Sequence, residues 1–90
     1  MWDLPPTLEI LNFSKNLLRK LNPEVVKKLT NLATLDVSHN DLESLEHIHH
    51  MRKLKRLLAN DNQVKTLSHL SNAHSLVEID LENNPLDSSL

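Results

Sequence analysis

Six histidines stand out among the 90 residues, because imidazole is the side chain that most often binds transition metals. His47, His49 and His50 lie together, and His69 follows His47 by 22 residues. If the chain coils with that period, His47 and His69 lie on neighbouring turns and could bind zinc or nickel together with His50. No pattern nearby supplies the groups that orient metal-binding imidazoles. We therefore expect solvated histidines in turns, with no metal site and no other cofactor.

Ser38, His39 and Asp61 contain the three side chains of a hydrolytic triad. Catalysis by such a triad also needs donors for the oxyanion and a site that excludes water. These three residues fall on what we predict to be a flat, open strand surface that provides neither. The sequence therefore predicts a protein that is not an enzyme.

The composition excludes several other classes of function. Glycine is absent, which removes phosphate-binding loops and dinucleotide fingerprints. A net charge of −2, with one Trp, one Phe and no Tyr, disfavours direct binding of nucleic acid. The basic run Arg52–Arg56 is an exception, but Leu54 within it is a predicted core residue, so the run is divided between two faces. We expect its charges to be solvated.

The sequence also gives an expectation for location. It contains no cysteine, no apolar run near the roughly 20 residues that span a bilayer, and no basic start followed by an apolar stretch. These features predict a cytoplasmic or nuclear protein that does not associate with membranes.

The elements that position these residues follow from an internal repeat. Segments 8–18, 32–42, 54–64 and 76–86 share the pattern LxxLxLxxNxL, with Ile, Val, Phe or Ala at some apolar positions. Their asparagines lie at positions 16, 40, 62 and 84, spaced by 24, 22 and 22 residues. Four in-phase copies over nearly the whole chain resemble the leucine-rich repeat family, in the short 22-residue class found in many intracellular members.

The resemblance implies an α/β fold, a right-handed leucine-rich-repeat solenoid. Its concave side would be a parallel four-stranded sheet, and its convex side 3₁₀ turns, irregular coil or a short helix. Residues 1–90 would form one domain, with a partial half repeat at 1–7, full repeats at 8–31, 32–53 and 54–75, and a truncated repeat at 76–90. Strand geometry agrees, because in Leu-x-Leu both apolar residues point to one side.

The repeated asparagines have a structural explanation. After each strand the chain must bend, which leaves backbone N–H and C=O groups without strand partners, and a buried amide can bond to both kinds. We predict that Asn16, Asn40, Asn62 and Asn84 form a buried ladder that bonds to these bends and to itself.

The connections between strands and the two ends give further expectations. Asn22 and Pro23 are placed to start a short helix that extends to Leu29. Trp2 and Pro5 occupy core positions of the partial first repeat, where they would cover the next one. The next core residue of the last repeat would fall at Ser89, so we expect a minimal or excised stretch of a longer solenoid.

Strand residues that point away from the core define the predicted partner-binding surface. Its members are Ile10, Asn12, Thr34, Asp36, His39, Asp41, Arg56, Leu58, Asn60, Asp61, Glu78, Asp80 and Glu82. The five repeat positions that form this face carry six acidic and two basic residues, a net charge of −4. Ile10 and Leu58 are candidate apolar anchors.

Family resemblance implies that such a face binds other proteins. We therefore predict a non-enzymatic module that binds a helix or peptide of basic or mixed charge, of undetermined oligomeric state. Two alternatives remain open at this point. In the first, the chain is a fragment of a larger receptor or signalling enzyme. In the second, it is a structural unit that assembles through its C-terminal edge.

Overall fold

A computed structural model describes residues 4–87 of the chain. Four three-residue strands, Ile10–Asn12 (β1), Thr34–Asp36 (β2), Arg56–Leu58 (β3) and Glu78–Asp80 (β4), form one sheet in the order β1-β2-β3-β4. Every neighbouring pair is parallel. The predicted parallel four-stranded sheet of a leucine-rich-repeat solenoid is confirmed.

The register of the sheet follows the repeat. Leu11 pairs with Leu35, Leu35 with Leu57, and Leu57 with Ile79, so the central apolar residues of the four strands form one row. A slip by one residue would turn every core side chain toward solvent, so burial of this row fixes the alignment.

The returning segments differ in length and therefore in structure. The longer first repeat contains a short helix, Pro23–Val26 (α1), and the Oδ1 atom of its N-cap Asn22 accepts the N–H of Glu24 at 2.9 Å. The cap and Pro23 lie where the sequence predicts them, but α1 ends before Leu29. The shorter repeats return through the 3₁₀ helices Ile48–His50 and Ser68–Asn72, which span more length per residue than an α-helix.

The core runs along the inside of the coil. Its fully buried members are Leu21, Val26, Leu29, Leu32, Leu35, Val37, Leu42, Leu45, Ile48, Met51, Leu54, Leu57, Ala59 and Val64. We call each turn of the solenoid, the span of one repeat, a rung. On the first and last described rungs the equivalent residues are less covered: Leu11 and Leu81 are half-buried, and Ile79 is exposed. Each rung of a solenoid is covered only by its two neighbours, which explains this gradient.

Of the residues discussed at the two ends of the predicted core, Pro5 is the one that the structure describes. Pro5, predicted in the core, is exposed. Its carbonyl accepts the N–H of Leu8 at 3.1 Å, so the residue forms a turn ahead of the first rung. Trp2 and Ser89 lie outside the described residues, as do the outer parts of the first and last predicted repeats.

Each rung bends through a residue in the left-handed region. Lys15, His39, Asp61 and Asn83 occupy the same repeat position, directly before the ladder asparagine, with φ between 58° and 60°. Asn, Asp and His are comparatively frequent in this conformation, whereas Lys pays a steric cost that glycine would avoid. With no glycine in the chain, the solenoid bears this cost in its turns.

We expect Lys15→Gly to raise the free energy of unfolding by about 0.5–1 kcal/mol, because Lys15 is exposed and its left-handed backbone is strained. Urea unfolding measures the change. Asn83→Gly is the matched control. We expect it to be nearly neutral, because Asn tolerates this conformation and water can replace the exposed bond from Asn83 Nδ2 to Asp61. A Lys15→Gly variant less stable than the native chain would contradict the assignment of strain to this turn.

Candidate protein-binding surface

The ladder asparagines connect one rung to the next through the backbone. The Oδ1 atom of Asn40 accepts the N–H of Leu18 from the preceding repeat at 3.0 Å. Its Nδ2 donates to the carbonyls of Phe13, Val37 and Ser38 at 3.0, 2.9 and 3.2 Å. One amide thus bonds to two successive bends. Among residues 4–87 the ladder amides bond to backbone groups, whereas we expected the amides also to bond to one another.

The ladder is not buried along its whole length. Asn40 and Asn62 are 6% and 1% exposed, Asn84 is half-buried, and Asn16 is exposed. Asn16 bonds only within its own turn among the described residues, where its Nδ2 donates to the carbonyls of Phe13 and Ser14. The prediction that Asn16 is buried was therefore wrong, because no described repeat precedes Asn16 to cover its amide.

The predicted binding residues do lie on one face of the sheet. Register places Ile10, Thr34, Arg56 and Glu78 in one row, and Asn12, Asp36, Leu58 and Asp80 in the next. Backbone bonds from Lys15, His39 and Asp61 to the following rung continue this alignment past the strand ends. Ile10, Asn12, Asp41 and Glu82 are exposed, while Thr34, Leu58 and Asn60 are half-buried.

Neighbouring side chains contact acidic groups of this face in two places. Arg56 Nε lies 3.0 Å from Glu78 Oε2, between neighbouring strands. Asp61 accepts a bond from Asn83 Nδ2 at 2.9 Å, and its other oxygen lies 3.3 Å from His39 Nδ1. Asp41, Asp80 and Glu82 have no such partner among residues 4–87, so they keep the face acidic.

Some polar residues of this face hold the turns. Asp36 Oδ1 accepts the N–H of Ser38 at 3.0 Å, and Asn12 makes the same bond to Ser14. Ser38 is buried, and its Oγ accepts the N–H of Asn60 at 3.1 Å. A hydroxyl fixed in this way is not presented to a substrate. Spacing alone could not reveal its burial, which depends on how the bend turns the side chain inward.

The histidines cluster differently from the expected stack of His47 on His69. His50 stacks on His47 with ring centroids 5.7 Å apart and contacts His49 at 4.1 Å. His69 takes part in none of the ring contacts between described residues. Residues 4–87 contain no group of three or more His, Cys, Asp or Glu side chains arranged to hold a metal ion.

Comparison with known proteins agrees with the geometry. The profile of the leucine-rich repeat family matches residues 6–64. This chain belongs to the leucine-rich repeat family. The match runs from the turn before β1 to the end of the third motif segment, 54–64.

One relative bears on location. Toll-like receptor 9 of Mus musculus is 36% identical over 84 aligned residues, which cover 73% of this chain and 8% of the receptor. Because this relative is a receptor, the predicted cytoplasmic or nuclear location is contradicted. That prediction used the absence of a leader and of a long apolar run, and neither absence identifies a compartment.

Helices long and apolar enough to cross a bilayer do not occur between residues 4 and 87.

Proposed function

We propose that this leucine-rich-repeat domain is a non-enzymatic module that binds another protein on its concave sheet. The observation that supports this most directly is the alignment of exposed polar and apolar side chains in rows across four parallel strands. A regular backbone with variable outward side chains gives a rigid recognition surface. Ile10, which is 68% exposed, and the half-buried Leu58 supply apolar contacts on it.

The charge of this surface favours a basic partner segment. Asp41, Asp80 and Glu82 are exposed, and the basic Arg56 is already paired with Glu78. Four strands about 4.8 Å apart give a strip about 15–20 Å wide, which matches a helix or an extended peptide better than a whole globular face. Complementary charge would set the orientation and speed of association more than the affinity.

The test uses a labelled helical peptide with Lys and Arg along one face, measured by fluorescence anisotropy. We expect the variant Asp36→Asn/Asp80→Lys/Glu82→Lys to bind about tenfold more weakly than the native domain, because repulsion replaces attraction. Asn is chosen at position 36 because Asn12 shows that an amide keeps the same turn bond. The fold is thereby preserved.

A matched variant places the same charge change elsewhere. Glu24→Gln/Glu43→Lys/Glu46→Lys alters three exposed acids outside the concave rows, and we expect it to bind almost normally. Amide chemical shifts in the complex should change along β1–β4. Shifts confined to the returning segments, or equal weakening by both variants, would move the site away from this sheet.

A second candidate function is suggested by the receptor relative. The chain spans only 8% of the length of the relative it matches. On this interpretation the domain is therefore a recognition segment of a larger receptor. The native protein recovered from cells would then migrate at a mass well above 10.3 kDa. Recovery at about that mass would refute this second candidate.

A further inference from the structure

Basic side chains collect on the returning side of the coil, away from the acidic sheet. We call the group Lys27, His47, His49, His50, Arg52 and Lys53 the basic patch. Lys27, Thr30, His50, Arg52 and Lys53 line one shallow depression, and His49, Arg52 and His74 line part of the next. Arg52 lines both of these depressions, and with Lys53 it also lines a third, which includes Glu9 and Lys55.

The fold assembles this patch from three stretches of the chain. Helix α1 packs against the 3₁₀ helix Ile48–His50, which brings Lys27 close to the histidines. Arg52 and Lys53 follow in the loop that leads to β3. The basic run 52–56 is thus divided, because its last member, Arg56, lies on the concave face and pairs with Glu78.

The patch has little internal compensation of charge. Partial desolvation and the positive groups of His49, Lys27, His47 and Arg52 lower the pKa of His50 below its ordinary value of 6.5. Every charged group acting on His50 is basic. Lys53 Nζ bonds to the neutral Asn31 Oδ1 at 3.0 Å, and the salt bridges within residues 4–87 include none of the patch.

We propose that the basic patch is a second binding site, which takes an acidic peptide segment of a partner protein and holds it more tightly at mildly acidic pH. Arg52, Lys27 and Lys53 supply fixed positive charge, and the Thr30 hydroxyl adds a neutral donor. The Asp and Glu carboxylates of an extended peptide can each pair with one of these separated positive side chains. Among residues 4–87, Phe, Trp and Tyr do not line the two depressions, so the large aromatic rings on which nucleotide bases stack best are missing there.

The pH dependence follows from the histidines. A bound anion favours the protonated imidazole, so it raises the pKa of His50 toward or above its ordinary range. Binding is therefore strongest below that range and weakens as the pH rises through it. Glu and Asp carboxylates, with pKa values near 4, remain charged at pH 5.5. Affinity should accordingly increase between pH 7.5 and pH 5.5.

The probe is a labelled peptide with eight Glu residues separated by Ser, measured by anisotropy at about 0.15 M salt, where remote charges are screened. We expect native affinity to rise about fivefold from pH 7.5 to pH 5.5. Lys27→Gln/Arg52→Gln should bind about tenfold more weakly at both values. His49→Gln/His50→Gln should keep its affinity at pH 7.5 within about twofold and lose the increase.

Lys20→Gln/Lys65→Gln is the matched control, since it removes two exposed positive charges outside the patch. It should bind as the native chain does. The proposal is overturned if the control and the patch variant weaken equally, if affinity does not depend on pH, or if a single-stranded oligonucleotide binds the patch more tightly than the peptide does. Circular dichroism checks that each variant is folded.

Discussion

Asn62→Leu is expected to lower the free energy of unfolding by about 2–3 kcal/mol, because it removes a buried amide that bonds to four backbone groups. Asn62 Oδ1 accepts the N–H of Leu42 at 2.9 Å. Its Nδ2 donates to the carbonyls of Val37, Ala59 and Asn60, each at 3.1 Å. A leucine of similar size would leave the Leu42 N–H without a partner in a site that water cannot enter, since Asn62 is 1% exposed. The carbonyls of Val37, Ala59 and Asn60 would each lose one of two donors and keep the other, from Asn40, Asn84 and His39 respectively.

The matched control is Asn16→Leu, the same substitution at the same repeat position. Asn16 is exposed and bonds only within its own turn among the described residues, so water can replace what the amide supplies. We expect a loss of about 0.5 kcal/mol or less. Urea unfolding followed by circular dichroism gives both values. Equal losses would show that the amides act locally in each turn and do not join neighbouring rungs.

The sequence could predict the sheet because the repeat carries its own register. Leu35 and Leu57 are 22 residues apart and occupy the same place in the pattern, so they had to lie side by side once the chain coiled. The same argument brings His39 beside Asp61, and in the structure His39 Nδ1 lies 3.3 Å from Asp61 Oδ2. Any feature that depends only on repeat position follows from spacing in this way.

Features that depend on neighbouring rungs could not be obtained from spacing. Asn16 and Asn62 have the same place in the motif, yet one is exposed and the other buried, because burial is provided by adjacent rungs. The basic patch was missed for a related reason. The 22-residue spacing places Lys27 beside His49, but spacing alone does not show that both side chains stay exposed on one surface with His50 and Arg52.

Charge asymmetry between the two sides gives the domain two different surfaces from one repeat. Outward strand positions hold Asp80 and Glu82, while the returning segments hold Arg52 and Lys53. Because a solenoid places strands on one side and returns on the other, substitutions at either set leave the other set unchanged. The two proposed sites can therefore be tested independently in the same protein.

Leu57→Ala is expected to cost about 3–4 kcal/mol, the largest effect of any substitution considered for this chain. Leu57 is fully buried at the centre of β3, between Leu35 and Ile79 in the register. Truncation leaves a cavity that the flanking strands cannot close without breaking their ladder with β3. The loss of stability should therefore exceed the free energy of transferring the removed methyl groups from the core to water.

Ile79→Ala is the internal control, because Ile79 occupies the same repeat position on the next rung but is 39% exposed. Without an enclosed cavity we expect only about 1 kcal/mol, from the partial loss of apolar burial. Chemical denaturation of both variants under one set of conditions measures the difference. Similar losses would mean that stability is shared evenly along the stack. A large difference would show that a rung is stabilised in proportion to its cover by both neighbours, as nearest-neighbour packing requires.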